Sequence, residues 1–323
     1  MSAKKVLGFD VGGTKIAICL ADDQGNVIAS GRIPSGAQAP YEQVLPMLVD
    51  ETKSLVASQG LKMSDIACCG VAAPGPLDMK LGTVMRSPNL AWVDAPIRDD
   101  LGNALGIKSY MDNDANGGVL AEYFFGAYKG VADMIYVTMS TGIGYGVVSG
   151  GHLITGKSGI GTEMGHIVLD INGPKCSCGL TGCLEAYCGG RAVADRLKAL
   201  LKDKPDHPIY KLPEVNGNPD KLTFQAVREG AKAGIPLAVE MWDEICLRLA
   251  QGLGSVITTF NPEIVILGTA AYYAGDFLME PVRNYLPRFT WKEMLDDCQV
   301  VVSSLGLKVG ELAGASIALN NLK

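Results

Sequence analysis

One pattern occurs in both halves of the sequence and restricts the folds open to it: a short apolar strand, a glycine-bearing turn, and a second strand. The first copy runs Val6 to Asp10, turns at Gly12-Gly13 and continues from Lys15 to Ala21. The second runs Ile135 to Met139, turns through Ser140-Thr141-Gly142-Ile143-Gly144 and continues from Tyr145 to Ser149. β-Branched and aromatic residues in runs this short, bounded by Gly, Asp and Asn, are strand signals. In the first copy a polar turn, Asp22 to Asn26, leads to a third strand, Val27 to Ile33, so the chain opens as an antiparallel meander. The repeat predicts two related α/β domains, each opening with the same hairpin, and a pair of that kind leaves a cleft suited to a ligand.

The remaining segments fit this plan. Helical spacing covers Tyr41 to Ser58, a strand runs Ile66 to Ala72 and stops at Pro74-Gly75-Pro76, and a helix at Ile97 to Leu105 precedes a strand around Ser109 to Asp112. Leu237, Met241, Ile245, Leu249, Leu253 and Val256 recur at helical intervals from Pro236 to Phe260, and Asn261-Pro262 ends the run. Glu263 to Leu267 reads as a buried strand, Asp203 to Lys221 as a surface loop, and Val309 to Leu319 as a closely packed helix. A chain of 323 residues suits two domains. We expect a smaller one at 1–117 with the tail from about 305 to 323, and a larger one at 118–304.

Lys and Arg total 28 against 34 Asp and Glu, a formal charge of −6, so no basic excess exists for a nucleic acid or an anionic membrane surface. No secretory leader and no apolar run of membrane-spanning length stands out, which predicts a cytoplasmic protein. Nine cysteines, an odd number scattered along the chain, do not make a disulfide framework. Six of them (Cys19, Cys68, Cys69, Cys188, Cys246, Cys298) lie in apolar surroundings as small buried hydrophobes. Glycine is in excess, 40 residues where average usage gives roughly 23.

The chemistry-bearing residues fall into four groups. In Asp10-Val11-Gly12-Gly13-Thr14-Lys15 the glycine amides are open to an anion, Thr14 adds a hydroxyl, and Lys15 or a cation held by Asp10 offsets phosphate charge; a plain Gly-Gly hairpin turn is the alternative. The spacing is neither a Walker A loop nor a dinucleotide fingerprint. The second turn, Thr141 to Gly144, is weak alone, and the pairing of the two suggests a grip on a polyphosphate. Asp112-Asn113-Asp114-Ala115-Asn116 ends a strand and opens a helix; one residue suffices as a helix cap, and the surplus suggests hydroxyl binding and a general base. Cys176-x-Cys178-x4-Cys183 with His166 upstream supplies four ligands for a tetrahedral structural Zn²⁺; three free thiols and an unrelated histidine are the alternative. Glu163 and Glu185 flank this loop as solvated acids or as ligands for a polyol. His152 and His207 read as surface residues.

These motifs, in this order and spacing, resemble the ROK (repressor, open reading frame, kinase) family of sugar kinases, with Cys-x-Cys-Gly-x2-Gly-Cys-x-Glu the most specific of them. The likeness runs from about Val6 to the tail and, within the family, is to the ATP-dependent glucokinases of bacteria. It implies two actin-like (ribonuclease H-like) α/β domains about an interdomain cleft, and phosphoryl transfer from ATP to a hexose, foremost to the 6-hydroxyl of glucose. N-acetylhexosamine kinase and fructokinase activities are the alternatives within the class. Sugar-responsive regulators belong to the same family, but here only nine residues precede Asp10, which disfavours a leading helix-turn-helix. By resemblance, Asp114 is the base; Asn113, Glu163, His166 and Glu185 bind sugar, with Gly75 and Asn89 as further candidates; and His166 also joins Cys176, Cys178 and Cys183 on zinc. Gly12, Gly13, Thr14, Lys15, Thr141, Gly142, Gly144 and Gly268 serve ATP, Asp10 serves Mg²⁺, and a homodimer or homotetramer is expected. Three positions depart from the family pattern: Tyr145 replaces a glycine, Gly268-Thr269-Ala270-Ala271 replaces a glycine triplet, and Glu311 replaces an aspartate. The bulk at Tyr145 and Thr269 is expected to narrow or reshape the nucleotide site.

Overall fold

The computed structural model describes residues 3–35, 39–86 and 90–322. In chain order its elements are β1 (Lys5–Val11), β2 (Lys15–Asp22), β3 (Val27–Pro34), α1 (Tyr41–Ser58), β4 (Ile66–Ala73), β5 (Leu77–Asp78), β6 (Thr83–Val84), α2 (Ile97–Leu105), β7 (Lys108–Asn113) and α3 (Asp114–Phe125). There follow β8 (Met134–Met139), β9 (Ile143–Ser149), β10 (His152–Leu153), α4 (Leu184–Cys188), α5 (Gly190–Leu201), α6 (Phe224–Lys232) and α7 (Pro236–Phe260). The last are β11 (Ile264–Thr269), α8 (Ala270–Ala274), α9 (Asp276–Tyr285), α10 (Lys292–Asp297), β12 (Gln299–Val302) and α11 (Lys308–Asn320). The chain divides into two compact units, Met1–Tyr136 with Gly146–Thr162 and Ser304–Lys323, and Val137–Tyr145 with Glu163–Ser303.

Two five-stranded sheets share one strand order, β3-β2-β1-β4-β7 in the first and β10-β9-β8-β11-β12 in the second. In the first, β1 to β3 form the antiparallel meander, while β4 and β7 run parallel to β1 and so require crossover helices. In the second, β10 is antiparallel to β9 and β11 is parallel to β12. This repeated order bears out the two related domains that the doubled hairpin led us to expect, and it is the actin-like, ribonuclease H-like arrangement that the family resemblance implies.

The two faces of the first sheet carry different residue sizes, and that difference decides what packs on each. Leu7, Phe9 and Val11 of β1, Ile16, Ile18 and Leu20 of β2, and Cys69, Val71 and Ala73 of β4 point into one apolar core with Val44, Leu48 and Val56 of α1 and Ile97 and Leu101 of α2. On the other face the alternate positions are small, and α11 lies with its backbone against the strands. A Cβ on Gly8 would come within 2.0 Å of the Ala315 nitrogen, one on Gly70 within 2.2 Å of the Gly314 carbonyl oxygen, and one on Gly314 within 2.3 Å of the Phe9 nitrogen. Beside it on α3, a Cβ at Gly117 would meet the Ala313 methyl at 2.8 Å.

In the second unit α7 is the long internal helix, with Met241, Ile245, Leu249, Leu253 and Val256 buried, and Asn261 closes it in the left-handed conformation (φ 45°) before Pro262. The 203–221 segment differs from the surface loop expected. It holds two 3₁₀ turns, Pro208–Lys211 and Pro219–Lys221, and buries Ile209 and Val215 completely, so two apolar anchors fasten a polar run to the unit. Among the described residues no helix is long and apolar enough to cross a membrane.

Candidate active site

In the first unit the chemistry gathers where β1 and β7 end. The hairpin turn after β1 closes with the Gly12 amide donating to the Lys15 carbonyl at 3.0 Å, and it leaves Thr14 and Lys15 exposed at its tip. Asp10 lies at the root of this turn. A Cβ on Gly310 of α11 would stand 2.7 Å from its Oδ2, so the bare glycine makes room for the carboxylate. Burial above all, then the charges of Asp114 and Glu311, push the Asp10 pKa up to about 7, with Lys15 opposing them. Three acids near one lysine form a place where an added cation is favoured.

The Asp112–Asn116 cluster divides its labour. Asn113 is the N-cap of α3, its Oδ1 accepting the Asn116 amide at 2.6 Å. Asp112, only 7 % exposed, accepts the Asn113 amide at 2.8 Å and the Asn116 side-chain amide at 2.7 Å, and Asn116 is fully buried. These three residues therefore fasten strand to helix, and only Asp114 projects outward. The residue is exposed, yet desolvation of its carboxyl by the surrounding protein raises its pKa, against the lowering effect of the Ala115 and Asp114 amides at the helix start. Gly75, just past β4, is exposed with open space where a Cβ would stand. Asn89 lies outside the described residues.

In the second unit the turn after β8 is held from below. The Ser140 amide donates to the Gly142 carbonyl at 3.0 Å, and the Ser140 and Thr141 carbonyls accept the Gly190 and Arg191 amides at 2.9 and 3.0 Å from the start of α5. Glu185 of α4 reaches the same turn: its Oε2 accepts the Ile143 amide at 3.0 Å. Tyr145 does not narrow the open side of this turn, because its ring is 2 % exposed and fills the interior instead. At the end of β11, after Gly268, Thr269 holds a positive φ of 53°, costly for a β-branched residue, and its hydroxyl donates to the Met139 carbonyl at the end of β8. The turn expected to contact nucleotide is thus braced by α4, α5 and β11.

The cysteine loop fits a metal. His166, Cys176, Cys178 and Cys183 bring their ligand atoms within 4.8 Å of one another, with Cys178 and Cys183 sulfurs 3.7 Å apart and the Cys176 sulfur 3.6 Å from His166 Nδ1. Tetrahedral zinc with bonds of about 2.3 Å separates its sulfurs by roughly 3.8 Å, so the spacing of the four atoms is compatible with one such ion. The local fold explains this. Lys175 and Thr181 pair across a small loop that Gly179 closes at φ 96°, and Val168 pairs with Cys183. Gly182 passes so near the Asp170 carbonyl that a Cβ would overlap it, and Asp170 in turn receives Arg248 of α7 at 3.1 Å. His166 ends a 3₁₀ turn, Met164–His166, and its amide donates to the carbonyl of exposed Glu163 at 3.1 Å.

The sequence motifs therefore assemble into two groups, one in each unit. The Asp112 and Asn116 braces, the Glu185 link to the turn and the Arg248 strut are additions; Arg248 carries no sequence signal, since helical spacing does not say what a basic side chain reaches.

The model of the ROK family matches residues 6–321. A glucokinase of Thermotoga maritima is 34 % identical over 98 % of this chain and 98 % of its own. A ROK family glucokinase from Streptomyces griseus, solved in complex with glucose and AMPPNP, superimposes with a TM-score of 0.76 at 30 % identity over 99 % of this chain and 100 % of that one. A xylose repressor of Caldicellulosiruptor bescii is 28 % identical over 93 % of this chain and 74 % of the repressor.

Proposed function

The chain belongs to the ROK family, and on that premise we propose that it is an ATP-dependent hexose kinase that converts glucose to glucose 6-phosphate. The observation that carries the reading is Asp114: an exposed acid at the start of α3, with its pKa raised, on a strand-to-helix junction that Asp112, Asn113 and Asn116 fasten by hydrogen bonds to one another. A base so placed accepts the proton of the sugar 6-hydroxyl as that oxygen attacks the γ-phosphorus, and tuning toward the working pH favours the transfer. The P–O bond to ADP breaks as the new one forms. The protein's share is then orientation and neutralisation of charge.

The turn residues Gly12, Gly13, Thr14 and Lys15, and Thr141, Gly142 and Gly144 of the second turn, are assigned to the phosphates, with Gly268 beside the nucleotide. Asp10 is assigned to Mg²⁺, which when bound neutralises phosphate charge. The high pKa of Asp10 supports that assignment, since a cation relieves the repulsion among Asp10, Asp114 and Glu311. Glu163, His166 and Glu185, with the side-chain amide of Asn113, are assigned to the sugar hydroxyls; Gly75 and Asn89 remain weaker members of that set. His166, Cys176, Cys178 and Cys183 are assigned to a structural Zn²⁺. Because His166 turns Nδ1 to the cysteines, its other ring nitrogen is left for the sugar, and the metal fixes the ring.

The test is a panel of glucose, mannose, fructose, N-acetylglucosamine and N-acetylmannosamine with ATP and Mg²⁺, read as ADP formed. The proposal expects the highest kcat/KM on glucose. An N-acetylhexosamine or fructose in first place moves the substrate assignment, and no turnover on any sugar removes the kinase.

A further inference from the structure

Glu185 does more than its position after the third cysteine suggests. It stands on α4, two residues past Cys183, and its two oxygens face different parts of the second unit. Oε2 accepts the Ile143 amide at 3.0 Å, inside the turn assigned to phosphate. Oε1 receives the Ser177 hydroxyl at 3.3 Å, inside the cysteine loop, and lies 3.9 Å from the Cys176 sulfur. The approach to the turn is possible only because residue 142 is glycine: a Cβ there would stand 2.2 Å from Oε2. From below, Gly189 and Gly190 complete the same junction, with the Gly189 amide donating to the Glu185 carbonyl at 2.8 Å and the Gly190 amide to that of Ser140 at 2.9 Å.

We propose that Glu185 is a positioning residue that ties the second phosphate turn to the cysteine loop, so that the metal-held loop sets the geometry of the nucleotide site as well as that of the sugar site. A charge-assisted hydrogen bond to a backbone amide is stronger and more directional than a neutral one, and it fixes the Ile143 peptide plane. With that plane fixed, the neighbouring turn amides point in one direction, which an anion site made of backbone donors requires. Ser177 and Cys176 of the cysteine loop contact the far oxygen, which favours the orientation that faces the turn. A residue that only bound sugar would need neither contact.

The inference rests on the kinase reading, and the experiment separates the two. ADP binding without sugar and glucose binding without nucleotide are measured by calorimetry for the parent chain, Glu185→Ala, Glu185→Gln and Glu185→Asp, with zinc content determined for each. The parent should bind ADP; if it does not, the kinase reading fails first. Glu185→Ala should weaken ADP binding about tenfold, the loss of one charge-assisted bond. Glu185→Gln should lose threefold or less, because its amide oxygen still accepts the Ile143 amide. Zinc content should stay at the parent's value in both. If Glu185→Ala does not fold, Glu185→Asp decides: it keeps the charge, falls one methylene short of spanning turn and loop, and should also lose ADP affinity. ADP affinity within twofold of the parent in the folded Ala or Asp variant, with glucose binding alone impaired, overturns the proposal.

Discussion

Asp10 near the end of β1 and Asp114 at the start of α3, beyond β7, are assigned different tasks, and each makes a separate prediction. Replacing Asp114 by Asn keeps its size and removes the proton acceptor. We expect kcat to fall by about a thousandfold, within the usual range for general-base removal, with the glucose dissociation constant within about threefold of the parent. Turnover near the parent value would take Asp114 out of the base's role. Asp10 titrates near pH 7 in the folded chain and near the ordinary carboxylate value when unfolded. The unfolded chain thus gives up this proton first, so stability without ligand falls as pH rises from about 4 to 7 and is unaffected by this group below that window. Asp10→Asn should therefore raise the melting temperature at pH 8 and leave it nearly unchanged at pH 4; an equal shift at both would mean that charge repulsion is not the cause.

At the scale of elements, the glycines tell most about what a sequence discloses. The two turns and the cysteine loop were legible because spacing alone displays them, and the helices at Tyr41–Ser58 and Pro236–Phe260 keep the bounds their periodicity indicated. Gly8, Gly70 and Gly314 were not legible as a group, since a contact between a helix backbone and two strands joins positions far apart in sequence. A share of the glycine excess is thus structural, beyond what phosphate, sugar and metal account for. Likewise, Thr269 in place of a glycine looked like added bulk at the nucleotide, whereas its hydroxyl is spent on the Met139 carbonyl. Gly314→Ala sets a methyl against the Phe9 backbone, which cannot move aside as a side chain tip can, and should cost about 2 kcal/mol or more in urea unfolding. A cost under about 0.5 kcal/mol would show that α11 lifts off the strands freely.

At the scale of the molecule, the pair of related domains was readable from the doubled hairpin, while the strand order and the long-range partners of each motif were not, because pairing across a fold leaves no periodicity. The zinc assignment is testable here, since a metal held by His166, Cys176, Cys178 and Cys183 would fasten a loop with little core of its own, and Cys183 is fully buried. The purified chain should contain about one equivalent of zinc, and Cys183→Ser should lose most of it together with several degrees of melting temperature; an unchanged melting temperature in a zinc-free variant would make the metal incidental. Phosphoryl transfer from ATP to glucose is decided by product analysis. With ATP, Mg²⁺ and glucose, a kinase of this kind yields ADP and glucose 6-phosphate in equal amounts, and negligible ADP when glucose is left out. ADP formation that does not depend on glucose, or glucose phosphorylated elsewhere than at its 6-hydroxyl, would contradict it.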